Sequence, residues 1–147
     1  MGRIYTVPYA GTPSATVVPW VLTAASGRSL RLLGFNLESE GGETDQQIAI
    51  VISTLTGSFT AGTGGTTPTP APTDTDDQAA DFTARINGTA PSAGSGAKTT
   101  VYRTSQPLRA VAFADPPITV LASQAISIEA GETAGSACVG TAVVEEL

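Results

Sequence analysis

The apolar positions of this chain recur at every second residue. Ile48, Ile50 and Ile52 share one face of the stretch 48–52, with Ala49 and Val51 between them. Phe82, Ala84 and Ile86 alternate with Thr83 and Arg85, and Ile126 and Ile128 alternate with Ser127 and Glu129. A period of two, reinforced by β-branched residues, predicts half-buried strands. Further strands are expected over 3–9, 15–24, 29–37, 98–104, 109–113, 118–121 and 136–144. Turn formers separate them at Gly11-Thr12-Pro13, Ser26-Gly27, Gly41-Gly42, Asn87-Gly88, Asp115-Pro116-Pro117 and Ala130-Gly131. Short strands punctuated in this way predict an all-β, antiparallel β-sandwich, jelly-roll-like, built as one domain over 1–147. No stretch repeats with helical spacing. The nearest is Asp74–Ala80, whose aspartates suit the start of a turn or two of helix.

Two positions refine the strands. Pro19 interrupts Val17-Val18-Pro19-Trp20-Val21-Leu22, and proline cannot donate to a ladder, so an edge strand or a bulge is expected there. Gly34 separates Leu30 and Leu32 from Phe35 and Leu37, which have opposite parity. A bulge at that point returns all four to one face.

The stretch Gly57–Thr75, GSFTAGTGGTTPTPAPTDT, breaks the pattern. Structureless loops longer than about 12–15 residues are usually functional or disordered. Pro68, Pro70 and Pro72 favour extended polyproline II, in which nine residues reach about 28 Å. With little of its own to bury, the stretch is expected to be an arm held by neighbouring molecules. Shortening it over 62–72 should then leave the domain folded. A second loop of this kind is expected over 90–97.

Composition narrows the chemistry. Thirteen acids against seven bases give a net charge of −6, and Lys98 is the single lysine. A nucleic-acid binder that works by counterion release needs a basic stripe, so no nucleic-acid partner is expected. There is no histidine, which removes the commonest general base and metal ligand. Cys138 is the only cysteine, and it reads as a small buried apolar residue. Asp74, Asp76, Asp77 and Asp81 form one acidic cluster, and Glu38, Glu40, Glu43 and Asp45 another. The first lacks the glycine and distal glutamate of a calcium loop and reads as a solvated helix start or an acidic contact surface, and the second reads as a solvated hairpin tip. Asn87-Gly88-Thr89 matches a glycosylation sequon but reads as a turn.

No catalytic residue, metal or cofactor is therefore expected, and the chain reads as a protein other than an enzyme. The longest near-apolar window, Ala15–Ala25, is broken by Thr16, Pro19 and Thr23 and is too short for a bilayer span of about 20 residues. The opening residues lack an export signal's apolar stretch, so no membrane partner and synthesis in a cytoplasm are expected. Arg3, Arg28, Arg31, Arg85, Arg103 and Arg109 suit interfaces, where a guanidinium meets carboxylates in a planar fork.

The chain opens on Arg3-Ile4-Tyr5-Thr6-Val7-Pro8-Tyr9, carries its Gly/Thr/Pro insertion at 57–73, and closes on Gly140-Thr141-Ala142-Val143-Val144-Glu145-Glu146. In that layout it resembles the decoration (cement) proteins of tailed-bacteriophage heads. The resemblance implies a sandwich or jelly roll, a homo-oligomer and commonly a trimer, that binds the major capsid protein. It implies a place on the outside of the assembled shell, at local three-fold positions, after synthesis in the host cytoplasm. There the protein braces the virion without catalysis. On this reading the candidate interface joins the N-terminal side, Arg3, Tyr5, Tyr9 and Trp20, to the arm residues Thr66, Pro68, Pro70, Pro72 and Asp74. Two other readings fit the same composition. One is a head-fibre base or tail-associated sandwich. The other is a carbohydrate-binding sandwich, for which Trp20, Tyr5, Tyr9 and Tyr102 would supply a stacking platform.

Overall fold

The computed structural model describes residues 2–40, 47–107, 111–131, 134 and 137–147, with side chains other than those of 106–107 and 111–116. The Gly41-Gly42 turn with Glu43 and Asp45, and Arg109, lie outside the described residues. Among the described residues twelve strands follow one another: β1 (Arg3–Gly11), β2 (Val17–Val18), β3 (Trp20–Thr23), β4 (Leu30–Ser39), β5 (Gln47–Thr56), β6 (Ala71–Pro72), β7 (Thr83–Arg85), β8 (Gly88–Thr89), β9 (Ala97–Pro107), β10 (Val111–Val120), β11 (Ala125–Ala130) and β12 (Cys138–Glu146). The front sheet runs β10-β4-β12-β1-β6, the back sheet β7-β3-β11-β5-β9, and β2 and β8 form a small ribbon. Every pairing is antiparallel, and the two large sheets pack as a sandwich. Leaving out β2 and β6–β8, the layers read β10-β4-β12-β1 and β9-β5-β11-β3. Successive strands then cross between layers at every step except β5 to β9. That order is in keeping with a jelly-roll-like double Greek key.

Alternation along each strand sends one row of side chains inward. Tyr5, Val7 and Tyr9 of β1, four apolar residues of β4, and Ala142 and Val144 of β12 meet Trp20 and Leu22 of β3 and the isoleucines of β5 and β11 in one core. Trp20 is its centre. The side chain is fully buried, with Tyr9 at 5.1 Å and Phe35 at 5.9 Å between ring centroids. Its indole Nε1–H donates to the Val7 carbonyl at 3.2 Å, so the one polar group of the ring is satisfied.

The parity change in β4 is resolved as its sequence requires. Val143 stands opposite Gly34 and Val144 opposite Leu32, which leaves Leu33 as the extra residue of a bulge. Leu30, Leu32, Phe35 and Leu37 all reach the shared core. Pro19 acts differently from the expectation. The strand stops and restarts around it, and β3 lies between β7 and β11, inside the sheet and not at an edge.

The expected arm is not an arm. Phe59 and Ala61 fold back over the outer face of the back sheet and, with Ala90, cover Val18, Val21, Leu55 and Ala125 in a second cluster. Isolated bridges join Thr60 to Ser92 and Thr66 to Ile86, and Arg85 Nη1 donates to the Gly64 carbonyl at 2.6 Å. Beyond Thr66 the chain reaches the front sheet, where β6 pairs with Tyr5 and Thr6 and the Thr73 amide donates to the Ile4 carbonyl at 2.9 Å. The accessible surface, 6864 Å², is close to the roughly 6,970 Å² expected of a compact body of this mass. Order in this stretch thus comes from the chain itself, and deleting 62–72 would strip part of the fold. Asp74–Ala80 likewise forms no helix. Asp76 N–H donates to Asp74 Oδ1 and Asp77 N–H to the Asp74 carbonyl, both at 3.1 Å, closing a single turn.

Two glycines of the fastened loop offer an internal comparison. Gly62 has φ +83° and a Cβ there would stand 2.1 Å from the Thr89 carbonyl oxygen, whereas Gly64, at φ +71°, has open space around it. Gly64→Ala is expected to lose about 1 kcal/mol, the strain of left-handed backbone alone. Gly62→Ala should lose at least about twice that, because the clasp must also move. Thermal melts of the two variants check the order.

Candidate assembly surface

The structure separates the residues of the expected interface. Tyr5, Tyr9 and Trp20 lie at or below 3% exposure, inside the sandwich, and cannot meet a partner. Tyr102 is half-buried and packs against the same core, so the four aromatics form no stacking platform. Of the loop residues, Thr66, Pro72 and Asp74 are exposed and Pro68 and Pro70 half-buried. Thr66 is bridged to Ile86, while Pro72 sits beside β1 at the front-sheet edge.

Arg3 is a clamp within the chain. Its Nη1 donates to Gln78 Oε1 at 3.1 Å, and its Nη2 to Asp81 Oδ2 at 3.2 Å and Glu146 Oε2 at 2.8 Å. The Glu146 side chain is fully buried, and its Oε1 accepts the amides of Asp81 at 3.1 Å and Phe82 at 2.9 Å. The Tyr5 hydroxyl donates to the Gln78 carbonyl at 2.9 Å, and Arg28 lies 3.6 Å from Asp81. Burial works against the Arg3 charge, but Tyr5, Glu146 and Asp81 outweigh it and raise the pKa. No signal in the sequence pointed to Glu146, whose partners lie up to 143 positions away.

The Cys138 thiol is buried. Burial, and then the charge of Glu40, push its pKa up, away from the thiolate form that reacts. Among the described residues no group of three acids or cysteines is placed to hold a metal ion, and no helix is long and apolar enough to cross a membrane.

The outer faces of the two sheets differ. On the back sheet, the second apolar cluster covers one part, and a bonded polar group occupies the next. Ser127 Oγ donates to Glu129 Oε2 at 2.8 Å, and Lys98 Nζ to Glu129 Oε1 at 2.9 Å. On the front sheet, the outward residues of β1, β12 and β4 include Ile4, Val139, Val143 and Leu33. All four are half-buried and pack against neither core. Register places Ile4 beside Glu145 beside Arg31 at one end of this face, and Ala10 beside Val139 beside Glu38 at the other. Thr6, Val143, Pro8, Thr141 and Asn36 lie between, so the middle carries no charge on β1, β12 and β4.

Beyond Arg31 the same face continues to Ser29, which exchanges two backbone hydrogen bonds with Leu147. Leu147 is 38% exposed and Leu121, next after Val120 in β10, is 62% exposed. Along the edges the chain is blunted. β6 and β7 are short, β10 bulges between Phe113 and Ile118 across Pro116-Pro117, and β9 bulges at Val101 between Lys98 and Arg103. No family model, no curated protein and no solved structure matches the chain.

Proposed function

We propose that this chain is a structural virion protein that binds the outside of an assembled tailed-phage capsid and stabilises it without catalysis. The outer face of the front sheet, sparsely charged on β1, β12 and β4 and not covered by any of the described residues, carries this reading. Such a face suits packing against another protein surface, whereas the polar loop expected to reach a distant partner is fastened to its own body. The footprint moves accordingly from the 57–75 loop to the flat sheet. Burial of Trp20, Tyr5 and Tyr9 removes the stacking platform on which a glycan-binding reading depends.

The mechanism is linkage. A protein that binds only the mature shell stabilises it by RT ln(1 + [L]/Kd) per site, about 2.7 kcal/mol at a hundredfold excess over Kd. Many weak sites on one lattice multiply that effect, more so if the protein binds as an oligomer. The resemblance to cement proteins supplies the partner, the major capsid protein, and the expected trimer on local three-fold positions.

The test is co-sedimentation of purified protein with expanded, emptied capsids of the source phage that lack it. Binding with a raised melting temperature of the shell is the expected result. Shells that neither retain the protein nor melt later would overturn the reading.

A further inference from the structure

We infer that the capsid is gripped at one end of the front face, by Leu121 and Leu147, and that the partner surface offers them an apolar side chain beside a carboxylate. This inference rests on the proposed function and names the chemistry that the same face recognises.

Register builds the grip. Ser29 exchanges backbone hydrogen bonds of 3.2 and 2.9 Å with Leu147, and Leu30 pairs with Val120, so Ser29 has Leu147 on one side and Leu121 on the other. Leu30, Val120 and Glu146, one position along each strand, are buried, and alternation therefore turns this row outward. Two strand spacings put the leucines about 10 Å apart, with the short Ser29 side chain between them. They are two of the three large apolar side chains exposed among the described residues, and the third, Val101, belongs to β9 of the other sheet. A notch with a serine floor and leucine walls fits one apolar side chain of a partner, the arrangement by which a few anchors carry most of a contact.

The anchors are held in place before binding. Leu121 N–H donates to Gln124 Oε1 at 3.0 Å, Gln124 N–H to the Leu121 carbonyl at 3.1 Å, and Ser123 N–H to the Ala25 carbonyl at 3.3 Å. Within that turn Ser123 takes φ +62°, a left-handed conformation unfavourable to a residue with a side chain. The strain is kept in the turn that presents Leu121. A fixed backbone under an exposed leucine has little freedom left to lose on association.

The row beside the notch supplies polarity, with Arg31 next to Glu145 and Ile4. Among the described residues the Arg31 side chain spends only Nη1, on Glu145 at 3.0 Å, which leaves guanidinium donors for a partner's carboxylate. The opposite end of the face carries Glu38, Val139 and Ala10, and no large apolar side chain is exposed there among the described residues. The two ends differ, so the grip has a direction.

Co-sedimentation with expanded, emptied capsids that lack the protein, at several salt concentrations, tests this. Leu121→Ser and Leu147→Ser should each weaken binding by about tenfold or more. Arg31→Gln should weaken it and flatten its salt dependence, and Glu38→Gln should bind like the parent. All four side chains face outward, so the unbound variants should melt and sediment like the parent. Leu121, the more exposed at 62%, carries the test if Leu147→Ser disturbs the strand end. A parent that binds while the leucine variants or Arg31→Gln bind equally well would overturn the inference and leave the proposed function standing. So would a loss in Glu38→Gln as large as in the leucine variants. Leucine variants that lose the parent's mass in solution together with capsid binding would place the leucines between copies of this chain and overturn it too. A parent that ignores capsids would remove the proposed function itself, and the inference with it.

Discussion

A Trp20→Ala chain is expected to lose about 4 kcal/mol of stability, the upper part of the range for large core truncations. The indole is fully buried between Tyr9 and Phe35, and its Nε1–H satisfies the Val7 carbonyl of the opposite sheet. Its far edge lies against β12, where a Cβ on Gly140 would come within 3.2 Å of it. No single neighbour can move into the space without leaving its own strand, so the cavity persists. With a urea m-value of about 2 kcal/mol/M, the unfolding midpoint should fall by about 2 M. A shift below about 0.5 M would show that the two sheets do not share this side chain.

Glu146→Ala should be the next largest effect, about 3 kcal/mol. Oε1 of this buried carboxylate accepts the amides of Asp81 and Phe82, and its loss takes that partner from both donors, the Phe82 amide at a buried position. The nearby pair Arg31–Glu145 is more exposed, and Glu145→Ala is expected to lose less than about 1 kcal/mol. Hydrogen exchange gives the local readout. The Asp81 and Phe82 amides should lose protection in Glu146→Ala and keep it in Glu145→Ala. Equal effects in the two variants would contradict the clamp.

The strands were legible because period two is a local signal. Ile48, Ile50 and Ile52, or Ile126 and Ile128, declare a buried face within a few residues, and the parity change at Gly34 located the β4 bulge before any contact was known. What was illegible shares one property, in that it depends on partners remote in sequence or on single residues without period. Phe59 and Ala61 are isolated apolar positions in a run of Gly and Thr, and nothing nearby shows that they cap Leu55 and Val21. Trp20, Tyr5 and Tyr9 are chemically suited to either a core or an interface, and only the opposing sheet decides. Pro19 marked an interruption, but whether the strand on its far side lay at an edge depended on where β7 would dock. The face now assigned to assembly was present in the sequence as the even residues of β1 and the odd residues of β12. It became visible once register set those two rows side by side.

That juxtaposition also governs how the molecule is made. β1 is paired along its whole length with β12, and Arg3 meets Glu146 143 positions away. A chain leaving the ribosome must therefore hold β1 unmatched on one side until β12 has been translated. Closure of such distant pairs is slow, and the waiting strand is most exposed to misassembly during synthesis. Slow translation or scarce chaperones should lower the soluble yield well before they alter the finished protein.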